Sequence, residues 1–377
     1  SRCHNITYLQ QGLGADTLPA NSFDRALLVT VLGEVPQKEA ALAEIFTALK
    51  PGGTLSITEV LPDPHYQIYP TVRRLALQAG FEPGKKWQNG LAYTAHFIKP
   101  DQGKLSVAQL GAIAETLVLP LYYRARESER PDALIRDNAA ASAVQRLAYD
   151  FSPLANQTEQ RVSTLLRARQ CDQIASRFLA EHPDGVVVEL GCGLDTRFKR
   201  VDNGQATWFD LDLPEVMVLR QQVFGEETSD RHHLIGQSML DGGWLDRVQA
   251  QGKRPCLFIA EGVFPYFDQA VIRELVLTIQ ARFPNAELVF DSTPQVMEWA
   301  SSLHPALRAT QTRVRWGLRS SQEVLSWQDH IQLLGEYHYF AQPEPRLGKY
   351  RWLHIFPAFS RGFRVLHYRL ADPETSA

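Results

Sequence analysis

The stretch VVVELGCGLDTRF, residues 186–198, constrains the fold of this chain more than any other segment. An apolar run of strand-forming residues leads into two glycines, Gly191 and Gly193, and then into a polar stretch suited to a helix start. A strand that ends in glycines and leads into a helix is typical of doubly wound α/β proteins. In them a nucleotide binds beside the small residues and the helix N-terminus. The segment therefore predicts an α/β domain with a ligand site at this strand end.

The acid Glu189, two residues before Gly191, argues against a phosphate ligand. Its charge would repel a pyrophosphate, and the third glycine of the GxGxxG motif is replaced, since GCGLDT offers Asp195 and Thr196 there. A carboxylate at this strand end instead suits a positive ammonium group, as in the methionyl part of S-adenosylmethionine. The alternative is that Glu189 only caps a turn.

A second acid supports the adenosyl ligand. The segment TWFDLDLPEV predicts the next strand, and its Asp212 lies about 20 residues past Gly191, where an acid can accept both ribose hydroxyls. Asp210 is the rival in the same strand, and alternation along a strand lets only one of the two face the ligand. The position at the strand end favours Asp212.

A strand–helix–strand pattern occurs twice along the chain. Near the start, FDRALLVTVLGEV, KEAALAEIFTALK and TLSITEV predict a β-α-β unit, followed by a helix that ends at Gly80 and an alternating strand, LAYTAHFIK. Residues 105–180 are helical in pattern, with an interruption at RARESERPD. The same order then returns, so we expect two copies of one architecture, the first lacking its opening half. Because the chain starts at Ser1 without an initiator methionine, we expect a fragment of a longer protein.

Composition excludes several classes of partner. The 377 residues are 44% hydrophobic with a net charge of −3, and the basic residues are scattered, which disfavours nucleic acid and anionic membranes. No apolar run reaches the roughly 20 residues that span a bilayer, and no secretory pattern opens the chain, so we expect a cytoplasmic protein. The four cysteines, Cys3, Cys171, Cys192 and Cys256, are dispersed and predict neither disulfides nor a zinc site.

The chain from about residue 105 to 370 resembles the leucine carboxyl methyltransferases and their bacterial relatives of the tetracenomycin polyketide O-methyltransferase type. The resemblance implies a class I, Rossmann-like S-adenosylmethionine-dependent methyltransferase fold over residues 101–377, with a helical lid at 105–180 and a core at 185–377. The resemblance rests on six motifs: LVLPLYYRARESERPDALIRD, YDFS, RVSTLLRARQCDQIASRFL, VVELGCGLDTRF, FDLDLPEV and AEGVFPYF. Their order along the chain is more specific than any one motif.

The resemblance also implies roles for individual residues. Arg167 matches an arginine that grips the cofactor's carboxylate with its planar fork, and Arg169 is its rival. Asp241 stands where the family places a group on the adenine amino side, although a plain helix cap is an equal alternative. Glu261 faces the methionyl portion. The complete set of predicted cofactor-binding residues is Arg167, Glu189, Gly191, Gly193, Asp212, Asp241 and Glu261.

Residues 1–100 have a resemblance of their own. LPANSFDRALLVTVLGEV, ALKPGGTLSITEV and AGFE resemble the C-terminal half of a class I methyltransferase of the ubiquinone/menaquinone-biosynthesis type. The opening strand and glycine elbow of that fold are absent here, and QGLGAD follows no strand that ends in an acid. We therefore expect a partial domain that lacks the cofactor-binding half.

The predicted reaction is O-methylation of a carboxylate on a small aromatic or polyketide-like acceptor. A carboxylate is ionised at neutral pH, so alignment and loss of water drive the transfer, and no catalytic residue is predicted. Tyr122, Tyr123 and Arg126 are candidates for the acceptor site, although an aromatic pair at a helix end is more often core.

Other functions stay open. An O-methyltransferase acting on a phenol would need a base, for which His304 and His338 are nominal candidates, whereas His232 and His233 are expected on a solvated loop. An oxidoreductase with a doubly wound fold would need the third glycine of the GxGxxG motif, which this sequence lacks. For residues 1–100, a non-catalytic packing module is the alternative function.

Overall fold

The computed structural model describes residues 10, 12–15, 17–100, 105–107, 112–225, 228–298, 313–341, 344–348, 350 and 361–371. By its internal contacts the chain divides into two compact units. We call them the N-terminal unit, Ser1–Gln109 with Gln145–Asp150, and the C-terminal unit, Leu110–Val144 with Phe151–Ala377. The predicted domains, residues 1–100 and 101–377, stay predictions, because contacts alone do not assign a domain to a family.

The N-terminal unit contains a four-stranded sheet in the order β1-β2-β4-β3. Its strands are β1 (Phe23–Val29), β2 (Leu49–Val60), β3 (Glu82–Asn89) and β4 (Ala92–Ile98), and its helices are α1 (Lys38–Ala48) and α2 (Tyr69–Gln78). β1 and β2 are parallel, which confirms the predicted β-α-β unit, and β4 is antiparallel to both β2 and β3. A short parallel pair, β5 (Leu105–Ser106) and β6 (Leu147–Ala148), completes the unit.

Strand β3 was not predicted. Its sequence, EPGKKWQN, contains a proline, a glycine and two lysines, so it lacks the alternation of a half-buried strand. It forms because it pairs with β4 across a tight turn, where the Ala92 amide donates to the Asn89 side chain at 3.1 Å. Tertiary pairing thus overrides local propensity at this strand.

Three helices follow along the chain: α3 (Ala112–Ser128), α4 (Asn138–Arg146) and α5 (Thr158–Glu181). They confirm the predicted helical stretch. Its interruption lies at residues 129–137, a little later than the charge and proline pattern indicated. Among the described residues, no helix combines the length and apolarity needed to cross a membrane.

The C-terminal unit is built on a seven-stranded sheet in the order β12-β13-β11-β10-β7-β8-β9. The strands are β7 (Val186–Leu190), β8 (Thr207–Asp212), β9 (His232–Gly236), β10 (Cys256–Ala260), β11 (Ala286–Ser292), β12 (Ile331–His338) and β13 (Arg364–Leu370). The connecting helices are α6 (Arg197–Val201), α7 (Pro214–Phe224), α8 (Gly243–Gln249), α9 (Gln269–Arg282) and α10 (Gln322–Leu325).

Strand directions confirm the predicted class I fold. β9, β8, β7, β10 and β11 are parallel neighbours, and β13 is inserted antiparallel between β11 and β12. The order reverses between β7 and β10, which is the switch point where doubly wound sheets bind ligands beyond the carboxyl ends of their strands. β12 and β13 form an antiparallel pair at one end of the sheet.

Burial on both faces explains the unbroken apolar run of β7. Val186 and Val188 pack into one core cluster, and Val187 packs with α5 residues such as Phe178 into a cluster on the opposite face. A parallel sheet covered on both faces needs apolar residues at every position of a central strand.

Candidate active site

The turn Gly191–Gly193 after β7, which we call the glycine elbow, has a backbone conformation that favours glycine at both of its ends. Gly191 and Gly193 have φ values of 70° and 51°, in the left-handed region that favours glycine. A Cβ atom on Gly191 would lie 2.5 Å from Val263 Cγ2, and one on Gly193 would lie 2.9 Å from Leu117 Cδ2. Both the conformation and the close packing therefore require glycine at these two positions.

Asp212 lies beside the elbow, as expected of a residue at the end of β8. Its Oδ2 accepts a hydrogen bond from the Gly193 amide at 2.7 Å, and its Oδ1 accepts one from the Leu213 amide at 2.7 Å. Burial raises the pKa of Asp212 above its ordinary value, and the two amide bonds oppose that rise. An acid held in this way at the elbow is available to a ligand there.

The rival acid, Asp210, is committed to a structural role. It is fully buried and accepts hydrogen bonds from Trp208 Nε1 at 2.9 Å and His232 Nε2 at 2.8 Å, and its Oδ2 lies 2.6 Å from Arg220 Nη2. The expectation that His232 and His233 lie on a solvated loop is wrong. Both belong to β9, and His232 is buried because it pairs with Asp210 on the adjacent strand.

Acids cluster at the carboxyl edge of the sheet, on four neighbouring parallel strands. Glu189 and Asp212 lie at the ends of β7 and β8, Glu261 follows β10 directly, and Asp291 lies near the end of β11. The first three are among the residues predicted from the sequence. Asp291 is not, although LVFDS carries the same signal of an acid at the end of an apolar strand.

Arg197 is the buried cation that pairs with these acids. It comes from the DTRF segment at the start of α6 and is 1% exposed. It forms ion pairs with Glu189 and Glu261, with Asp172 at 2.7 Å and with Asp195 at 3.2 Å. The two oxygens of Glu189 differ: Oε1 pairs with Arg197, whereas Oε2 is buried and has no hydrogen-bond partner among the described residues.

Arg167, from α5, holds the other side of the cluster. Its Nε lies 3.0 Å from Glu261 and its Nη1 lies 3.0 Å from Asp291. Burial lowers the pKa of Arg167, but Asp291 and Glu261 outweigh that effect and keep the guanidinium charged. The rival Arg169 hydrogen-bonds to Tyr337 instead. The geometry therefore favours Arg167 as the arginine of this cluster.

The ion pairs extend into a larger network with an excess of negative charge. In the described part of the chain it joins six carboxylates to four guanidinium groups, leaving two formal negative charges uncompensated. Its members are Asp137, Asp172, Glu189, Asp195, Glu261 and Asp291, with Arg124, Arg167, Arg197 and Arg200. Such a network is suited to a ligand with net positive charge.

The arginines also fix the backbone of the elbow. Arg124 Nη2 donates to the Leu194 carbonyl at 2.7 Å, and Arg220 Nη1 donates to the carbonyls of Gly193, at 3.2 Å, and Asp195. Charged donors on successive carbonyl oxygens hold the loop in one conformation. The elbow is thus shaped before any ligand binds.

The remaining predicted residues share no ion pair or hydrogen bond with this network among the described residues. Asp241 is exposed and precedes α8, whose N-cap is Gly242 without a side-chain cap bond, so Asp241 does not cap that helix. Tyr122 stacks on Phe151, with ring centroids 4.8 Å apart. Tyr123 donates to Gln157 at 2.5 Å, and Arg126 is half exposed in an ion pair with Glu129. His304 and Cys3 lie outside the described residues.

Comparison with known proteins identifies the chain. Residues 118–280 match the leucine carboxyl methyltransferase family, and residues 2–57 match a methyltransferase domain. The chain is 34% identical over 222 residues to the tetracenomycin polyketide synthesis O-methyltransferase TcmP of Streptomyces glaucescens, covering 58% of this chain and 80% of that protein. It is 27% identical over 277 residues to the S-adenosyl-L-methionine-dependent methyltransferase dpfgK of Gibberella zeae, covering 67% and 90%.

Among solved structures, a DUF574 family protein from Streptomyces avermitilis is similar at 13% identity and a TM-score of 0.46, covering 67% of this chain and 96% of that one.

The fold and the relatives define an S-adenosylmethionine-dependent methyltransferase, with S-adenosylmethionine as its cofactor. The chain belongs to the leucine carboxyl methyltransferase family.

Proposed function

We propose that this methyltransferase transfers a methyl group to a carboxylate oxygen of a small aromatic or polyketide-like acceptor, giving a methyl ester. The names of two relatives support this proposal. The matching family is that of the leucine carboxyl methyltransferases, and TcmP is an O-methyltransferase of tetracenomycin polyketide synthesis. Both point to an oxygen nucleophile.

One observation carries the cofactor part of the proposal: the buried Glu189 Oε2 without a partner among the described residues, beside an elbow of two left-handed glycines. A buried acceptor of this kind is costly unless a ligand donates to it. The uncompensated negative charge of the network suits a cofactor with ammonium and sulfonium groups. We therefore assign cofactor binding to Arg167, Glu189, Gly191, Gly193, Asp212, Asp241 and Glu261.

When bound, S-adenosylmethionine supplies a methyl group on a positively charged sulfur, open to in-line attack by an oxygen nucleophile. The chain's own residues hold and orient the reactants. In this proposal Asp212 accepts from the ribose hydroxyls, and Arg167 donates to the cofactor carboxylate. Leu117 of α3 packs against the elbow, which supports a helical lid that excludes water, and we propose Tyr122, Tyr123 and Arg126 as acceptor contacts on the same helix.

A phenolic acceptor is the second candidate, and His338 is the observation that favours it. This histidine ends β12, is 29% exposed on its side chain, and has Nε2 3.4 Å from Glu336. A phenol must lose a proton and a carboxylate need not; His338 would act as the base after giving up one of its ring contacts, since its Nδ1 also lies 3.1 Å from the Arg361 carbonyl oxygen.

For residues 1–100 we propose a partial methyltransferase domain without a cofactor site of its own, with a non-catalytic packing module as the alternative.

The pH dependence of the rate separates the two acceptors. We would supply S-adenosylmethionine with aromatic and polyketide-like acids, detect products by the mass of one added methylene, and follow kcat/KM from about pH 6 to 8. A carboxylate, with a pKa near 4, predicts a nearly flat profile, unchanged in His338→Ala. A rate that rises about tenfold per pH unit and falls in His338→Ala would contradict the carboxylate and support the phenol.

A further inference from the structure

Asp291 uses both of its carboxylate oxygens to connect three parts of the site. It lies near the end of β11 and is 2% exposed. Its Oδ1 accepts the Gly262 amide at 2.5 Å, and its Oδ2 accepts Arg167 Nη1 at 3.0 Å. The acid thereby joins β11 to the loop after β10 and to α5.

These contacts determine which edge of Arg167 remains open. Glu261 occupies Nε and Asp291 occupies Nη1, and Nη2 has no hydrogen-bond partner in the part of the chain that the structure describes. Gly262 keeps the approach to Nη2 clear, since a Cβ on this residue, with φ of 70°, would lie 3.1 Å from that nitrogen. Two carboxylates thus hold the guanidinium plane, and one donor edge faces away from them.

We propose that Asp291 is the positioning residue that aims the open edge of Arg167 at the carboxylate of the cofactor. This proposal rests on the proposed function, because it requires Arg167 to bind that carboxylate. With Nε and Nη1 already paired, Nη2 is the nitrogen left to donate to the cofactor carboxylate, and the direction of that bond depends on the orientation of the guanidinium plane. An unrestrained arginine also loses side-chain entropy each time it binds. Asp291 removes that cost in advance.

The test compares two ligands that differ only in the carboxylate: S-adenosylmethionine and decarboxylated S-adenosylmethionine, titrated by calorimetry without an acceptor. The wild-type chain is expected to bind the first at least about tenfold more tightly. Asp291→Asn keeps an acceptor for the Gly262 amide but removes the charge that holds Arg167. It should weaken S-adenosylmethionine about tenfold while leaving the decarboxylated ligand within about twofold.

Glu287→Gln is the matched control. Glu287 is a buried acid on the same strand and is paired with His367 at 2.7 Å and Arg369 at 3.1 Å. Its substitution should leave both affinities unchanged. If Asp291→Asn does not yield folded protein by circular dichroism, Asp291→Glu is measured instead. Its extra methylene displaces the guanidinium, so the preference for the carboxylate should fall in the same direction.

Two results overturn the proposal alone: equal weakening of both ligands in the Asp291 variant, which marks a structural role, or no weakening of either. A wild-type chain that binds both ligands equally would contradict the role of Arg167 itself, and with it the proposed cofactor site.

Discussion

The two sheets of this chain share a strand–helix–strand pattern, yet they differ at the carboxyl ends of their strands. In the N-terminal unit, Glu59 near the end of β2 is buried; its Oε2 accepts the Gln67 amide at 3.1 Å, and its Oε1 has no partner among the described residues. In the C-terminal unit, acids lie at or next to the ends of four neighbouring strands, and Arg167 of α5 and the buried Arg197 of α6 pair with three of them.

The comparison shows that the sequence features that build a sheet differ from those that build the candidate site. Alternating or unbroken apolar residues are enough to build both sheets, with buried residues such as Leu55 and Ile57 in one and Val187 and Val188 in the other. The candidate site needs, in addition, a left-handed glycine elbow and cations supplied by helices. Four predictions test whether this distinction is correct.

The largest effect is expected at Arg197. Arg197→Met leaves the buried Glu189 without its cation, and breaking a buried ion pair from one side costs about 3 to 5 kcal/mol. Chemical denaturation should show this loss in the free energy of unfolding of the C-terminal unit. As a control, Arg231→Met removes a half-exposed arginine paired with Asp202 at 2.8 Å and should change the midpoint little. Equal effects of the two substitutions would argue against the network as the feature that distinguishes this sheet.

The elbow comes next. Gly191→Ala places a methyl group 2.5 Å from Val263 Cγ2 on a left-handed backbone, and should weaken binding of S-adenosylhomocysteine about 100-fold by calorimetry. Gly204→Ala has the same backbone strain, with φ of 79°, but nothing lies within 4 Å of its added Cβ. It should bind normally. Normal binding by both variants would mean that the elbow does not shape the site.

The buried carboxyl of Asp212 should make the stability of the ligand-free protein depend on pH. Burial raises the pKa of Asp212, so the folded state binds its proton more tightly than the unfolded state does. Stability therefore falls as pH rises from the ordinary pKa of an aspartate through the raised pKa of the folded state. Both oxygens of Asp212 accept backbone amides, so Asp212→Asn sets an NH2 donor against one of them, at a cost of about 1 to 3 kcal/mol that does not depend on pH. The wild type alone loses stability as this carboxyl ionises, so the Tm of the variant relative to the wild type should rise by about 1 to 3 °C from acid pH to pH 7. A Tm difference that stays constant with pH, or falls as pH rises, would contradict a raised pKa at Asp212.

Glu59 should give the smallest effect, confined to stability. Burial raises its pKa, opposed by the Gln67 amide and assisted by Asp63, so the sign is the same as for Asp212. Glu59→Gln is expected to raise the Tm of the N-terminal unit by no more than about 1 to 2 °C at pH 7. Affinity for S-adenosylhomocysteine should not change. Loss of affinity in this variant would place part of a cofactor site in the N-terminal unit.

The elements that the sequence predicted are those whose signal is local. The β7 run, its glycines and the acids of β7, β8 and β10 follow from apolar patterning and turn chemistry over a few residues. Burial of His232 depends on Asp210, 22 residues away, and Arg167 meets Asp291 across 124 residues. Such long-range pairs leave no periodic trace, which is why the charge network and strand β3, built by pairing, were missed.

The stoichiometry of S-adenosylhomocysteine binding to the full chain shows whether the C-terminal unit alone binds the cofactor. Calorimetric titration should give one equivalent per chain, and the double variant Gly191→Ala with Asp212→Ala should bind none, while circular dichroism shows it folded. The glycine and the acid act together at the elbow, so their joint loss removes both close approach and the ribose acceptor. Two equivalents in the wild-type chain, or one tight equivalent surviving in the folded double variant, would contradict the account.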